Sequence, residues 1–405
     1  MATPVLRRLL WGYGPAALGN AMDEIAIVWT AQHLVSANRA AAIAAATASF
    51  LAPGVAVNIA LARRLAGVDP RTLVTVDGLT KACCLVLCGA LQIAGALTLP
   101  VFAVLLAAAG ASGPFGRAAF RTVLRDAVDP SRYFAANSLV SAVAQTSFMF
   151  GPALAGAVIV WQGPGVVLIL DGLAFLGVVR AVRAVSSPVV PTGGARCPAD
   201  GAPQAAHGAR RRGVTRTGST LVWMTGLFYL LYGPMVVSLP LKLTDELNIP
   251  GSHAAGSLGL AWSAMGIGSV CTTLVLAKAT RLAHPHAAVA VVAGWGAITL
   301  LVAAAPNVMV VVAALFLGGI IFAPYSAIVL TVLQSRLSRP RFAVTNLRYA
   351  AACDGSQPLG ILGAGAVGAF LSPSSVLAWT GGLLILVAAV AGFLLPNEEA
   401  SIGQN

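Results

Sequence analysis

Charged residues are scarce in this chain. Asp, Glu, Lys and Arg make up 9% of its 405 residues, whereas a typical soluble domain has about 25%. Hydrophobic residues make up 58% of the chain, so most of it is not suited to contact with water. The composition excludes an ordinary soluble globular protein and points to a lipid bilayer as the main solvent.

Cysteine and histidine are also few, and their positions exclude several classes of site. Cys197 stands alone in a polar segment and the other five cysteines lie in apolar stretches, so we expect neither disulfides nor a metal site. The five histidines lie near the ends of these stretches or between them, and no phosphate-binding Gly-Lys-Ser/Thr loop is present. We therefore expect no enzyme, no ATP-driven pump and no cofactor.

The apolar stretches are long enough to cross a bilayer as helices. They run for about twenty residues and lack the ten-residue alternating segments of an outer-membrane β-barrel. The sequence therefore predicts an all-α membrane protein with twelve transmembrane helices. These are predicted near residues 12–34, 40–62, 72–94, 100–122, 135–160, 164–184, 220–241, 255–279, 285–304, 307–332, 345–370 and 375–395.

The basic residues are unevenly divided between the two ends of this predicted bundle. They fall in every second connection, and the opposite end keeps only Arg39 and, beside Asp245 and Glu246, Lys242. The positive-inside rule then places both termini in the cytoplasm. The asymmetry also accounts for the net charge of +12, so nucleic acid is not an expected partner. Heavy use of Ala, Gly, Val and Arg with almost no Lys is typical of GC-rich bacterial genomes, which points to a bacterial inner membrane.

One long polar segment divides the chain into two halves. Residues 186–218 are rich in Pro, Gly and Arg and are predicted to form a flexible cytoplasmic linker. It separates an N-terminal six-helix half, 1–185, from a C-terminal six-helix half, 219–396. A short cytoplasmic tail, 397–405, is expected to follow.

Short motifs recur at corresponding positions of the two halves. Tyr13-Gly14-Pro15 in the first helix is repeated as Tyr232-Gly233-Pro234 in the seventh. An Arg and an Asn also stand near the start of both the fifth and the eleventh helix. The spacing from Arg132 to Asn137 is the same as that from Arg341 to Asn346. Such internal repeats are typical of duplicated transporters.

Twelve helices in two repeated halves joined by a basic linker resemble the major facilitator superfamily (MFS) over essentially the whole chain. Gly151-Pro152-Ala153-Leu154-Ala155-Gly156 resembles the Gly-Pro motif of its drug antiporters. The segments 120–137 and 258–268 resemble the branch that exports macrolides and siderophores. The resemblance implies a monomeric carrier that exports hydrophobic or amphipathic small molecules, in exchange for protons.

Proton coupling needs a carboxyl group that can bind and release a proton within reach of both sides of the membrane. Asp23 and Glu24 lie near the middle of the first helix, Asp171 in the sixth and Asp354 in the eleventh. These four acids are the predicted proton-coupling candidates. Arg117, inside the fourth helix, is the predicted counterion of Asp23 or Glu24.

Structural roles remain open for several of these charges. Asp23 and Glu24 can instead form permanent ion pairs with Arg117 or Arg121. Asp77 and Lys81 are four residues apart on the third helix, so a structural pair is expected there.

Polar and aromatic residues provide candidates for a substrate cavity. Asn20 lies one helical turn before Asp23, so a polar stripe is expected on that face. The cavity candidates are Asn20, Tyr232, Tyr325 and Gln357. Gly151, Pro152 and Gly156 are predicted to let helices approach and slide as the cavity opens to alternate sides.

Two other functions remain open at this point. An importer or uniporter of a small metabolite would use the same architecture, and sodium can replace protons as the coupling ion. A non-transporting membrane scaffold or sensor belongs to another class, and the mid-helix acids argue against it because buried charge is costly.

Overall fold

The computed structural model of the protein describes residues 4–65, 67–128, 133–184, 216–276, 284–337 and 339–395. The predicted tail, 397–405, and the predicted linker up to residue 215 lie outside these residues. Six helices form the first half: α1 Pro4–His33, α2 Arg39–Leu65, α3 Pro70–Ile93, α4 Leu99–Asp126, α5 Tyr133–Gln162 and α6 Pro164–Arg183.

Six further helices form the second half: α7 Arg216–Leu241, α8 His253–Leu276, α9 Pro285–Ala303, α10 Val308–Phe322 with Tyr325–Arg336, α11 Arg339–Val367 and α12 Pro373–Leu394. A single π-helical turn, Lys242–Glu246, continues α7. The two segments of α10 meet at Pro324, whose ring cannot be accommodated in a regular helix interior. The helices correspond one to one to those predicted from the sequence.

Ten of these elements are long and apolar enough to cross a membrane. The two others are α1 and α11, which carry the polar residues predicted to matter for function, including Asp23, Glu24 and Asp354. Neighbouring helices surround both, since α1 packs on α2, α5 and α6, and α11 packs on α2 and α7. Their polar side chains therefore face other helices or a cavity.

The two halves have the same internal packing. In the first half α3 packs on α6, α1 on α6, α2 on α4 and α1 on α5. In the second half the helices six positions later form the same pairs: α9 on α12, α7 on α12, α8 on α10 and α7 on α11. The halves meet chiefly through α5 with α8 and α2 with α11.

Successive helices alternate in direction, so the bundle has two distinct ends. The end where α2 begins is called the Arg39 end, and the end where α4 finishes is called the Arg125 end. Most of the described Arg residues lie near the Arg125 end: Arg7, Arg8, Arg64, Arg71, Arg121, Arg125, Arg180, Arg183, Arg336 and Arg341. The charge asymmetry expected from the sequence is thus present in three dimensions.

Candidate functional site

A cavity of about 570 Å³ lies between the two halves. Helices α1 to α4 supply one wall and α11 supplies the other. Its polar lining residues are Asn20, Lys81, Arg117, Asp354 and Gln357. Its apolar lining includes Phe50, Leu51, Val55 and Leu347.

A smaller cavity of about 180 Å³ adjoins the first one toward the Arg39 end. Asp23, Glu24 and Thr47 line it, together with Asn20 and Gln357, which line both. The larger space is called the outer cavity and the smaller one the inner cavity. Six of the predicted site residues therefore line one or both of these adjoining cavities: Asn20, Asp23, Glu24, Arg117, Asp354 and Gln357.

Asp171 lies behind the cavity wall, next to Asp23. Its carboxyl group packs on the backbone of α1 at Gly19, where a Cβ atom would collide with the carboxyl oxygen. Asp23 follows Gly19 by one helical turn, and the two carboxyl groups interact directly. Asp23 is 2% exposed and Asp171 is 1% exposed. Apart from this mutual interaction, no N–H or O–H group of the described residues donates a hydrogen bond to either.

This acid pair, Asp23 with Asp171, is an unusual arrangement for a buried site. Buried carboxylates are normally paired with a cation or held by hydrogen-bond donors. Two like charges in contact also repel each other strongly where water is excluded. The pair is therefore suited to binding a proton or another small cation.

The cation near the acid pair is Lys81 of α3. Its Nζ atom lies 3.2 Å from Oδ1 and 3.3 Å from Oδ2 of Asp77, and 4.7 Å from the centre of the Phe175 ring. Its charge also acts on Asp23 and Asp171. Ser112 of α4 donates a 2.7 Å hydrogen bond to Asp77. The predicted pair of Asp77 and Lys81 is thus formed, and it lies beside the acids.

Arg117 is not the counterion that the sequence led us to expect. In the described part of the chain no ion pair joins Asp23 or Glu24 to Arg117 or Arg121. The guanidinium of Arg117 lies instead in the outer cavity, against Gly113. The expectation was wrong because sequence spacing could not show that α3 brings Lys81 next to the acids.

The two predicted cavity tyrosines lie in a packed aromatic cluster of the second half. Tyr325 is 1% exposed and its hydroxyl lies 2.8 Å from that of Thr225, so its placement on the cavity was wrong. Tyr232 stacks on Trp295, with ring centres 5.6 Å apart, and lines neither cavity. It does lie close enough to Glu24 of α1 for the two groups to interact.

The Gly-Pro segment of α5 lies where three helices meet. A Cβ at Gly151 would be 2.5 Å from the Cβ of Ala21 in α1. A Cβ at Gly156 would be 2.7 Å from the carbonyl oxygen of Ala255 in α8. The close approach predicted for these glycines is therefore observed, both within the first half and between the halves.

Comparison with known proteins agrees with this architecture. No protein-family model matches the chain. A Sinorhizobium fredii protein, named as an uncharacterized MFS-type transporter, y4rN, is 27% identical over 371 residues, which cover 88% of this chain and 86% of that protein. The solved nucleoside transporter NupG superposes with a TM-score of 0.73 at 11% identity, over 98% of this chain and 100% of NupG.

A second solved structure gives the same result. A bacterial homologue of the iron transporter ferroportin, in its inward-facing state, superposes with a TM-score of 0.66 at 15% identity. The match covers 96% of this chain and 97% of that one. The protein has the major facilitator fold. The fold class predicted from the sequence is confirmed.

In this major facilitator fold the two halves touch most closely toward the Arg39 end. Arg39 of α2 forms a 2.9 Å ion pair with Asp245 at the end of α7. Small residues of α2 pack closely against the last turn of α11 and the residue after it. A Cβ at Gly365 would collide with Ala44, and a Cβ at Gly368, just beyond α11, would lie 2.8 Å from the Cβ of Ala40. The outer cavity lies on the far side of these contacts, toward the Arg125 end.

Sequence reasoning missed this closed end of the fold. Arg39 and Asp245 were placed at the same end of the bundle, but nothing in their spacing indicated that they pair. The available signal was the small-residue spacing of Ala40 with Ala44 and of Gly365 with Gly368, which is typical of closely packed membrane helices. Lys81 was missed as a cavity residue for the same reason: its position depends on how α3 packs on α4.

Proposed function

We propose that the protein is a secondary active transporter that exports hydrophobic or amphipathic small molecules by alternating access, in exchange for protons. The observation that carries this proposal is the cavity between the two halves, which is closed toward the Arg39 end and adjoins a buried acid pair. A membrane enzyme needs a reactive constellation at such a place, and a scaffold needs no cavity. The name of the Sinorhizobium fredii relative, an MFS-type transporter, supports transport as the class of function.

The size and lining of the outer cavity support a drug-sized substrate. Its volume of about 570 Å³ lies within the range of small-molecule sites, which are mostly apolar with a few placed polar groups. Phe50, Leu51 and Val55 supply the apolar surface on α2, and Asp354 and Gln357 supply polar groups on α11. A substrate held there contacts both halves, so its binding is sensitive to their relative movement.

The acid pair supports proton coupling. Two carboxyl groups in contact at a buried site do not both stay ionised, so one proton bound between them is the stable arrangement. Asp23 faces the inner cavity, which gives the proton a route to the substrate space. Glu24 faces the same cavity and is the second candidate, while Lys81 balances the charge when the proton leaves.

The distribution of charge supports an orientation in the membrane. The Arg125 end carries most of the described Arg residues and is therefore assigned to the cytoplasm of a bacterial cell. Both termini and the linker, 186–218, then lie on the cytoplasmic side of the inner membrane. The outer cavity lies on the cytoplasmic side of the Arg39–Asp245 contact in this orientation, as expected of an exporter in the state that loads its substrate. The protein is proposed to act as a monomer.

Export is tested in cells first and in vesicles second. Cells with and without the protein are compared over a panel of toxic hydrophobic compounds, and we expect the protein to raise tolerance to a subset. Inside-out vesicles should then accumulate a compound of that subset when respiration acidifies their lumen, and a protonophore should abolish the accumulation. The Asp23→Asn variant should lose it as well.

The matched control is Asp126→Asn, which removes an acid that is 57% exposed and pairs only with its neighbour Arg125 among the described residues. Full accumulation by Asp23→Asn would remove the coupling role of that acid. Accumulation that resists the protonophore but follows a sodium gradient would show that the coupling ion is sodium and not the proton. If tolerance is unchanged across the panel and right-side-out vesicles take up a compound, the protein is an importer and the proposed direction of transport is wrong.

A further inference from the structure

The outer cavity has a local excess of positive charge on the wall formed by α3 and α4. Arg117 and Lys81 approach the same point on α4: a Cβ at Gly113 would lie 3.3 Å from Nη1 of Arg117 and 3.6 Å from Nζ of Lys81. Gly113 lines the cavity. Arg117 is exposed there, whereas Lys81 is only 3% exposed and contributes its positive charge from behind Gly113.

Among the residues that the structure describes, one carboxylate, that of Asp77, is bonded to one of these two cations. Asp77 accepts hydrogen bonds from Lys81 and from Ser112, so its charge is paired with that of Lys81. Arg117 makes no hydrogen bond or ion pair with any described residue. A guanidinium within a membrane-spanning helix is costly without an anionic partner, and its planar set of donors fits a carboxylate or phosphate group.

The acids elsewhere in the cavities do not fill this position. Asp23 and Asp171 lie beside Lys81, at 2% and 1% exposure, and not beside Arg117. Asp354 lies on the opposite wall, on α11, and forms no ion pair with Arg117. The space between Arg117 and the apolar surface of Phe50 and Leu51 is thus open to a ligand.

We infer that Arg117, supported by the positive charge of Lys81 behind Gly113, forms an anion-binding subsite that receives the carboxylate or phosphate group of an amphipathic substrate. This inference rests on the proposed transport function and names its substrate class: organic anions with an apolar body. The apolar body then lies on α2, while the acidic group lies on α4.

Equilibrium binding to the full chain in lipid nanodiscs tests the subsite. Three probes share one apolar body and differ in charge: 1-naphthoate, 1-naphthamide and 1-naphthylmethylammonium. We expect naphthoate to bind about tenfold more tightly than the other two, because a charge-assisted pair is added to the same apolar contact. Empty nanodiscs give the background partition of each probe into lipid.

Two variants of Arg117 and one control locate the effect. Arg117→Gln should lower naphthoate affinity about tenfold and leave naphthamide unchanged, while Arg117→Lys should recover part of the loss. Arg121→Gln removes the same charge one helical turn further along α4, outside the lining of the cavity, and should have no effect. A thermal unfolding curve of each variant shows whether it is folded.

Equal binding of naphthoate and naphthamide, no binding of naphthoate, or equal losses in Arg117→Gln and Arg121→Gln would overturn the inference. These measurements use no ion gradient. If protonophore-sensitive export is found but naphthoate is not preferred, only the anion subsite is wrong. If Arg117-dependent binding is found without export, the proposed function is wrong and the subsite stands.

Discussion

Arg39 and Asp245 form a 2.9 Å ion pair that joins α2 of the first half to the end of α7 in the second. The pair lies beyond the inner cavity, at the end of the bundle opposite the outer one. The adjoining turn of α7 is fixed in place by Lys242, which bonds Glu246, Ser374 and the carbonyl oxygen of Ala303. The pair is therefore anchored to a rigid part of the second half, and it must break for the cavity to open at this end.

Breaking this ion pair should raise the fraction of molecules that are open at the Arg39 end. Both side chains are partly exposed, at 40% and 33%, so the pair is worth about 0.2–1 kcal/mol. Arg39→Ala should therefore increase the open fraction by up to about fivefold. The measurement is the labelling rate of Thr47→Cys, in the inner cavity, by an impermeant maleimide added from the Arg39 end, with the six native cysteines replaced.

The control for this prediction is the charge-exchanged variant Arg39→Asp with Asp245→Arg. It should return the labelling rate to that of the parent protein. If Arg39→Ala and Asp245→Ala both label at the parent rate, the ion pair has no role in closing this end.

A larger residue at Gly365 should prevent closure of the Arg39 end. A Cβ at this position collides with Ala44, so Gly365→Val holds α2 and α11 apart. Because overpacking costs about 1–3 kcal/mol, Thr47→Cys should label at least about fivefold faster. Gly363→Val lies half a turn away on α11, where a Cβ meets nothing within 4 Å, and should label at the parent rate. Equal rates for the two variants would show that the small-residue contact does not set the closure.

The acid pair should reduce the stability of the protein while it supports transport. Asp171→Asn removes a buried acid whose oxygens receive no hydrogen bond from another described side chain or backbone group, so we expect its Tm to rise. Proton-driven accumulation should fall to background, while exchange of labelled for unlabelled substrate continues, because exchange needs no net proton movement. A lower Tm, together with normal accumulation, would mean that Asp171 is held by interactions that stabilise its charge.

Gly19 should be required for the position of Asp171. A Cβ at Gly19 collides with the Asp171 carboxyl group, so Gly19→Ala should reduce accumulation about as much as Asp171→Asn does. Gly14→Ala is the matched control, because a Cβ at Gly14 meets only Val143, at 4.0 Å. If Gly14→Ala and Gly19→Ala transport equally well, the acid pair tolerates displacement and is not the coupling site.

Much of the candidate site was predictable because it lies on helices whose polar residues interrupt apolar runs. Asn20, Asp23 and Glu24 were identified on α1, and Asp354 and Gln357 on α11, since a polar group inside a membrane span needs a polar or wet environment. The aromatic residues were less predictable. Tyr325 fits an apolar core as well as a cavity wall, and only its neighbours on α7 decide between the two.

The sequence by itself determined the number of helices, their order, the division into halves and the end that carries the positive charge. These properties depend on local hydropathy and on charge in the connections, which act on each segment independently. Only the tertiary structure decided that Asp171 meets Asp23, that Lys81 and Arg117 approach the same glycine, and that Arg39 pairs with Asp245. Each of these contacts joins different helices, and its geometry depends on how closely small residues such as Gly19 and Gly113 allow the helices to pack.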